Sequence, residues 1–144
     1  MAGENKYIIC CDFDGVLNSY KSGWQGAAVI SDPPVPGAME WLDDMSRDAY
    51  FEIAVYSSRS KEPGGVEAMR AWLGKHLYEL WATASHPLLS DAEIRVRVGE
   101  VMDALTFPTQ KPAASMTIDD RAFCFEGTFP TVKWLKAFKP WNKK

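Results

Sequence analysis

The stretch YIICCDFDGV, residues 7–16, joins a short apolar run to two aspartates and a glycine. A nearly continuous apolar run is typical of a strand that is buried on both faces of a parallel sheet. Gly15 follows the second aspartate and predicts a sharp turn at the carboxyl end of that strand. Asp12 and Asp14 then have two interpretations: they cap a turn, or they belong to a site that binds a cation. Residues elsewhere in the chain decide between the two.

Further strands and helices alternate along the chain and predict an α/β fold. Strands are expected at residues 51–56 and 115–118, with a weaker candidate at 78–84, where helical and strand patterns compete. Apolar residues at helical spacing predict helices over residues 36–45, 64–77, 90–105 and 131–138. This alternation predicts right-handed crossovers and a three-layer, Rossmann-like fold around a central, mainly parallel sheet. Residues 18–35, rich in glycine and proline, are expected to form an irregular flap.

The composition is that of an ordinary globular chain. Its 144 residues, 47% of them hydrophobic and 24% charged, suit a single domain over residues 1–144. The net charge of −3 argues against binding polyanions through bulk charge, although a local basic patch stays open. Three cysteines without metal-ligand spacing, no signal peptide and no long apolar run predict a cytoplasmic protein that does not contact a membrane.

Polar clusters follow the predicted strands at the ends where parallel sheets bind their ligands. Two aspartates follow the first strand, hydroxyl and arginine side chains follow the second, and another aspartate pair follows the last. A lysine lies in the loop before that last strand. We therefore expect one rim to gather Asp12, Asp14, residues 57–60, Lys111, Asp119 and Asp120.

Several carboxylates on one rim repel one another unless a cation lies between them. Oxygen ligands with open positions suit Mg²⁺, which keeps several waters and often bridges to phosphate. A carboxylate beside the ion can attack phosphorus, and a second carboxylate can move the proton. Hydroxyl, ammonium and backbone N–H groups suit the oxygens of a transferring phosphoryl group. The rim therefore predicts Mg²⁺-dependent phosphoryl chemistry.

Four stretches of the chain, taken in order, resemble the motifs of the haloacid dehalogenase (HAD) superfamily. They read CDFDGVLN (residues 11–18), VYSSR (55–59), QKP (110–112) and TIDDR (117–121). The ordered set spans most of the chain. The resemblance implies a HAD-type fold and hydrolysis of phosphate monoesters through an aspartyl-phosphate, because phosphatase members of the superfamily carry the second aspartate of the first motif.

The same resemblance implies a catalytic role for each of four residues. Asp12 would be the nucleophile, and Asp14 the general acid and base. Ser57 would bind the phosphate and Lys111 would stabilise its charge. From the residues alone, Ser57 also has a simpler interpretation as the cap of the following turn, and Ser58 is a near-equal candidate for the phosphate binder.

The resemblance also implies a metal site and a substrate site. Mg²⁺ would be held by Asp12, the backbone carbonyl of Asp14 and Asp119, together with Asp120. Substrate would be bound by Ser57, Ser58, Arg59 and Lys111, and Arg59 either holds the substrate phosphate or structures the rim.

The gaps between the motifs leave no room for the cap domain that most superfamily members insert. The VYSSR and IDDR forms of the second and fourth motifs are similar to those of cap-less polynucleotide phosphatases and of small cap-less bacterial and phage hydrolases. The substrate would then be a phosphorylated small molecule or a nucleic-acid terminus. The oligomeric state stays open, and in a homo-oligomer a partner subunit could supply the missing lid. A non-catalytic binding module that keeps the metal site is the alternative from another class.

The C-terminal stretch FEGTFPTVKWLKAFKPWNKK, residues 125–144, matches none of the four motifs. It interleaves lysines with aromatic residues, a combination that suits single-stranded nucleic acid. It also suits an amphipathic helix whose aromatic side chains pack on the core while its lysines stay solvated. The packed helix is the favoured interpretation.

Overall fold

The fold is built on a four-stranded sheet in a computed structural model that describes residues 6–84 and 88–144. The strands lie in the order β3-β2-β1-β4 and every neighbouring pair is parallel. Their bounds are β1 (Tyr7–Cys11), β2 (Phe51–Val55), β3 (Leu105–Thr106) and β4 (Met116–Ile118). The predicted α/β fold with a parallel sheet is confirmed. The prediction that the chain has no signal peptide rests partly on residues 1–5, which lie outside the described residues.

Helices connect the strands on the path from β1 to β3. They are α1 (Ala38–Ser46), α2 (Gly65–Ala84) and α3 (Asp91–Ala104), and a short α4 (Val132–Ala137) follows β4. The predicted helix over residues 90–105 is confirmed as α3, and it starts with a capping box: the Glu93 backbone N–H donates to Ser90 Oγ at 3.1 Å, and the Ser90 N–H donates to Glu93 Oε1 at 3.2 Å.

The core lies between these helices and one face of the sheet. Alternate residues of β1 and β2 point to that face, where they meet apolar residues that recur at helical spacing. Burying one such side chain contributes about 1.5–3 kcal/mol. The cluster includes Ile9, Cys11, Ile53, Val55, Leu42, Met69, Leu73, Leu77 and Val101.

The predicted three-layer arrangement, with helices on both faces of the sheet, is only partly matched. Residues 107–115, which connect β3 to β4 and are all described, contain no helix. The helical layer therefore belongs to the crossovers between β1, β2 and β3, which run in one direction along the sheet. Right-handed crossovers in one direction place their helices on the same face.

The strand candidate at residues 78–84 is wrong, because α2 continues through Ala84. The helical spacing of buried Met69, Leu73 and Leu77 decides the conformation of the whole segment. Trp81 in its last turns donates from Nε1 to Asp43 at 3.1 Å. The strand that pairs beside β2 is instead the two-residue β3.

The segment after β4, residues 122–144, is named the tail. Its predicted helix exists as α4, and the Trp134 N–H donates to Thr131 Oγ1 at 3.0 Å at the helix start. The prediction that its aromatic side chains pack on the core is wrong. No residue of α4 is buried, and Phe129 is 80% exposed.

The flap, residues 18–35, forms no helix or strand beyond isolated bridges, as predicted. Side chains nevertheless hold it in place. Ser22 donates to the Asp32 carboxylate from its backbone N–H and its hydroxyl, at 2.9 and 2.7 Å. Trp72 on α2 donates from Nε1 to the Asp32 carbonyl at 3.0 Å, so the flap is tied to the helical layer.

Candidate functional site

The carboxyl ends of β1 and β4 bring three carboxylates together. β1 pairs with β4 in the register Cys11 to Ile118, and the Asp12 N–H donates to the Ile118 carbonyl at 2.9 Å. The next residues of both strands therefore meet at one edge. One carboxylate oxygen each from Asp12, Asp119 and Asp120 lies within 4.8 Å of the others. The structure thus brings together three of the four predicted metal ligands.

Asp120 has a buried side chain, unlike an ordinary surface acid. Its side chain is only 3% exposed, and its Oδ1 is buried without a hydrogen-bond partner. The Arg121 Nε lies 3.9 Å from the other oxygen, Oδ2. A buried carboxylate oxygen without a donor is costly, and a cation between the three acids would satisfy it.

The same crowding acts on the proposed nucleophile. Burial raises the pKa of Asp12 to about 8, together with the charge of Asp119 and with the side-chain hydrogen bond and charge of Asp120, although the Phe13 N–H donates to its Oδ1 at 2.8 Å. A carboxylate must be ionised to attack phosphorus. A divalent cation at this cluster would favour the ionised form, since it offsets the charges that oppose ionisation.

Gly15 makes the turn that lets the first motif reach Asp120. Its φ is +83°, which favours glycine, and its N–H donates to the Asn18 carbonyl at 2.8 Å. A Cβ built on Gly15 would overlap the Asp120 carboxylate. The residue after Asp14 must therefore lack a side chain for two separate reasons.

The Gly15→Ala variant is expected to displace the Asp120 carboxylate and to weaken Mg²⁺ binding by about 10- to 100-fold, as changes around metal ligands commonly do. Titration with Mg²⁺ in a thermal-shift assay measures the effect. Gly37→Ala is the matched control, because Gly37 has a similar φ of +88° but no atom within 4 Å of the added Cβ. Equal Mg²⁺ affinity in the two variants would contradict the close packing of Gly15 on Asp120.

The side chain of Asp14 lies apart from the three-acid cluster. Asn18 Nδ2 donates to its Oδ1 at 2.9 Å. Arg59 Nε donates to both of its oxygens, at 3.1 and 2.9 Å. Its carboxylate is therefore held in one orientation, and the metal contact predicted for its backbone carbonyl stays a prediction.

Arg59 is the most buried large side chain of the site, with 1% of its surface exposed. Besides Asp14, it holds the flap: Nη1 donates at 2.9–3.0 Å to the carbonyls of Gly26, Ala27 and Val29. The half-exposed indole of Trp24 covers the guanidinium at 4.9 Å. The sequence leaves two roles open for Arg59, binding the substrate phosphate or structuring the rim. These contacts fit the structuring role, because Nε and Nη1 already donate to protein oxygens.

Ser57 lies two residues after the end of β2, at the same rim, and caps the short 3₁₀ helix Ser58–Lys61. Its Oγ accepts from the Arg59 N–H at 3.1 Å, and its own N–H donates to Ser60 Oγ at 3.0 Å. A hydroxyl that accepts in this way keeps its proton for another acceptor. Capping and phosphate binding are therefore compatible in Ser57. Ser58 is exposed and takes no part in this network.

Gly65 allows the start of α2 to pack closely against the turn after β2. A Cβ on Gly65 would overlap the Arg59 carbonyl, so the first residue of α2 can approach this turn only as glycine. The turn that carries Ser57 and Arg59 is therefore braced from behind by the start of α2.

Lys111 is exposed in the β3–β4 connection. With Ser60, Lys61, Thr109 and Gln110 it lines a cavity of about 690 Å³ beside the turn after β2. Burial raises the pKa of the Cys10 thiol, and the Lys111 ammonium opposes that rise, so its charge acts on β1. The predicted catalytic role of Lys111 stays a prediction.

The tail contacts the loop of the first motif. Trp141 Nε1 donates to the Gly15 carbonyl at 2.7 Å, and Asn142 Nδ2 donates to the Ser19 carbonyl at 3.3 Å. Sequence reasoning missed both contacts, since more than 120 residues separate the partners and no pattern links them.

Comparison of the chain with protein-family models, with curated proteins and with solved structures finds no match. The functional assignment therefore rests on the residues of the site. In the described part of the chain, no helix combines the length and the apolar character that crossing a membrane requires.

Proposed function

We propose that the chain is a Mg²⁺-dependent phosphatase of HAD type that hydrolyses phosphate monoesters through an aspartyl-phosphate. The observation that carries the proposal is the meeting of Asp12, Asp119 and Asp120 at one sheet edge, with a buried Asp120 oxygen that lacks a donor. Ordinary surface acids do not leave such an oxygen unsatisfied. The four ordered motifs support the same conclusion.

The donor set fits Mg²⁺. All three side chains offer hard oxygen atoms, and three protein ligands leave positions for waters and a substrate oxygen. Asp12, Asp119 and Asp120 would hold the ion. When bound, it would neutralise the cluster and polarise the phosphoryl group.

The remaining steps belong to side chains of the chain. A carboxylate oxygen of Asp12 bonds to phosphorus as the ester P–O bond breaks, and Asp14, which must enter this step protonated, gives its proton to the departing alcohol oxygen. Water then attacks the phosphorus of the acyl-phosphate while Asp14 takes its proton, which releases inorganic phosphate and restores Asp12. Ser57 and Lys111 would donate to the phosphoryl oxygens.

Asp14 is suited to both proton transfers by its fixed orientation. Arg59 and Asn18 hold it from two sides, while 12% of its side chain stays exposed. The exposed part of the carboxylate is where a leaving group or a water would have to approach it.

Hydrolysis of 4-nitrophenyl phosphate is expected with Mg²⁺ and is expected to stop in excess chelator. Release of 4-nitrophenol measures turnover, and adding Mg²⁺ back is the control for irreversible damage. Mg²⁺ should also raise the melting temperature, because an ion that binds the folded state stabilises it. Turnover that resists the chelator would contradict the metal role. Mg²⁺ binding without turnover on any monoester would instead indicate the binding module.

A further inference from the structure

The tail differs in charge from the rest of the chain. It carries five lysines and one glutamate, whereas residues 1–121 carry 11 basic and 18 acidic side chains. The net charge of −3 thus conceals a basic segment attached to an acidic body. A segment of this kind attracts polyanions even though the whole molecule does not.

The same segment presents its aromatic rings to solvent. Its exposed rings belong to Phe123, Phe125, Phe129, Trp134, Phe138 and Trp141. Several of them contact one another rather than the core. Trp134 lies 5.1 Å from Phe123 and 5.5 Å from Phe138 between ring centroids, and Phe125 lies 4.9 Å from Phe129. The rings form a surface of paired, half-exposed faces.

Lysines alternate with these rings along the chain. Lys133 and Lys136 lie on α4 on either side of Trp134, and Lys139 directly follows Phe138. All three lysines are exposed. Proteins that bind single-stranded nucleic acid combine these two groups. Aromatic rings stack on the bases, and ammonium groups neutralise the phosphates between them.

The tail also adjoins the proposed active site. Trp141 is hydrogen-bonded to the carbonyl of Gly15, the residue directly after Asp14. Asn142 binds the next turn of the same loop through Ser19. A strand lying on the tail is thereby brought to the edge of the loop that carries Asp12 and Asp14.

We propose that the tail binds single-stranded nucleic acid and that the terminal phosphate of the bound strand is a substrate of the site. The second half of this proposal rests on the proposed phosphatase function, whereas the binding half does not. Stacking and phosphate contacts do not involve the hydrogen-bonding edges of the bases, so binding should depend little on the nucleotide sequence. The acidic body of a second copy is the competing occupant of the basic tail, and the experiment separates the two.

Fluorescence anisotropy with a labelled single-stranded oligonucleotide of about 12 nucleotides tests the binding half, since sites of this kind cover about 4–16 nucleotides. Binding is expected at ~50 mM salt and should weaken about 20- to 100-fold at ~200 mM, as for about three to five neutralised phosphates. Lys133→Glu combined with Lys136→Glu should weaken it further at low salt. Lys6→Glu combined with Lys75→Glu changes two exposed lysines outside the tail and should not.

Phe129→Ala should weaken binding by about 5- to 160-fold, the range for one lost stacking contact. Tyr50→Ala, which removes an exposed ring outside the tail, is the matched control. Failure to bind at low salt overturns the proposal, and so does binding that the tail variants leave unchanged. A dimer in light scattering that the tail variants dissociate overturns it in favour of a second copy.

Hydrolysis separates the binding half from the phosphatase function. Release of phosphate from a 5′- or 3′-phosphorylated oligonucleotide should show a kcat/KM at least about 10-fold above that of a mononucleotide. The tail variants should remove this advantage and leave turnover of 4-nitrophenyl phosphate unchanged. Equal kcat/KM values overturn the substrate half. Tail-dependent binding without hydrolysis of any monoester supports the binding half and overturns the phosphatase function.

Discussion

Asp12→Asn is expected to lower turnover of 4-nitrophenyl phosphate by about 10³-fold or more, the scale seen when a covalent nucleophile is removed. The amide has almost the same shape as the carboxylate, so the loop should keep its conformation. It offers no anionic oxygen that can bond to phosphorus. Single-turnover measurements with excess enzyme should show no acyl-phosphate, and appreciable residual hydrolysis would remove Asp12 from its assigned role.

The same substitution is expected to stabilise the metal-free protein. The ordinary pKa of an aspartate is 3.8, and that of Asp12 in the folded chain is raised to about 8, mainly by burial. Between these values the unfolded chain releases a proton that the folded chain retains, so the wild type loses stability as pH rises. Asparagine does not titrate. The melting temperature of the variant should therefore exceed that of the wild type in chelator, by a margin that grows from about pH 4 to about pH 8.

Mg²⁺ should reverse that order, because it stabilises the wild type and has a weaker site in the variant. Asp44→Asn, an exposed aspartate on α1, serves as the matched control and should change neither turnover nor the pH dependence. A variant that melts below the wild type in chelator at pH 7 would contradict the raised pKa of Asp12.

The placement of the three acids at one edge of the sheet could be predicted because it follows from topology. Parallel strands end at one edge, and the apolar runs that precede Asp12 and Asp119 identify those strands in the sequence. The turn after β2 follows the same rule, so Ser57 also lies at the expected edge. Local signals likewise predicted α3, whose capping serine and glutamate are three residues apart.

Contacts between distant side chains could not be predicted. The pair of Arg59 with Asp14 joins residues 45 positions apart, and no periodicity indicates which carboxylate a buried arginine selects. The approach of Gly15 to Asp120 is equally invisible, since it depends on the rotamer of one side chain. The sequence marked these residues as polar or flexible but could not name their partners.

Competition between patterns explains the errors in secondary structure. Residues 78–84 contain a mixture of aromatic and small residues that suits a strand, but the buried stripe of α2 begins earlier and extends the helix. β3 has two residues, too few for any pattern to detect. The aromatic residues of the tail predict burial by composition, yet no described element covers them.

Arg59→Met is expected to cost about 3 kcal/mol of folding free energy, because removing one partner of a buried ion pair leaves the other uncompensated. The loss concerns Asp14 and also the three flap carbonyls, which would lose their shared donor. For a chain of this size the melting temperature should fall by about 10 °C. Arg59→Lys keeps the charge but not the fork of donors, so it should recover only part of the loss.

Two controls separate this effect from the loss of any arginine. Arg95→Met breaks an ion pair with Asp91 that is exposed on both sides, and it should lower the melting temperature much less than Arg59→Met does. Asp14→Asn added to Arg59→Met should cost less than the sum of the two single changes, by about 1–3 kcal/mol, since the residues are in contact. Additive losses would show that Arg59 acts only through packing and the flap. A double variant that loses less stability than the sum would show that Arg59 stabilises the Asp14 side chain, which the proposed mechanism uses as its acid and base. The stability of the fold and the orientation of Asp14 would then depend on one side chain.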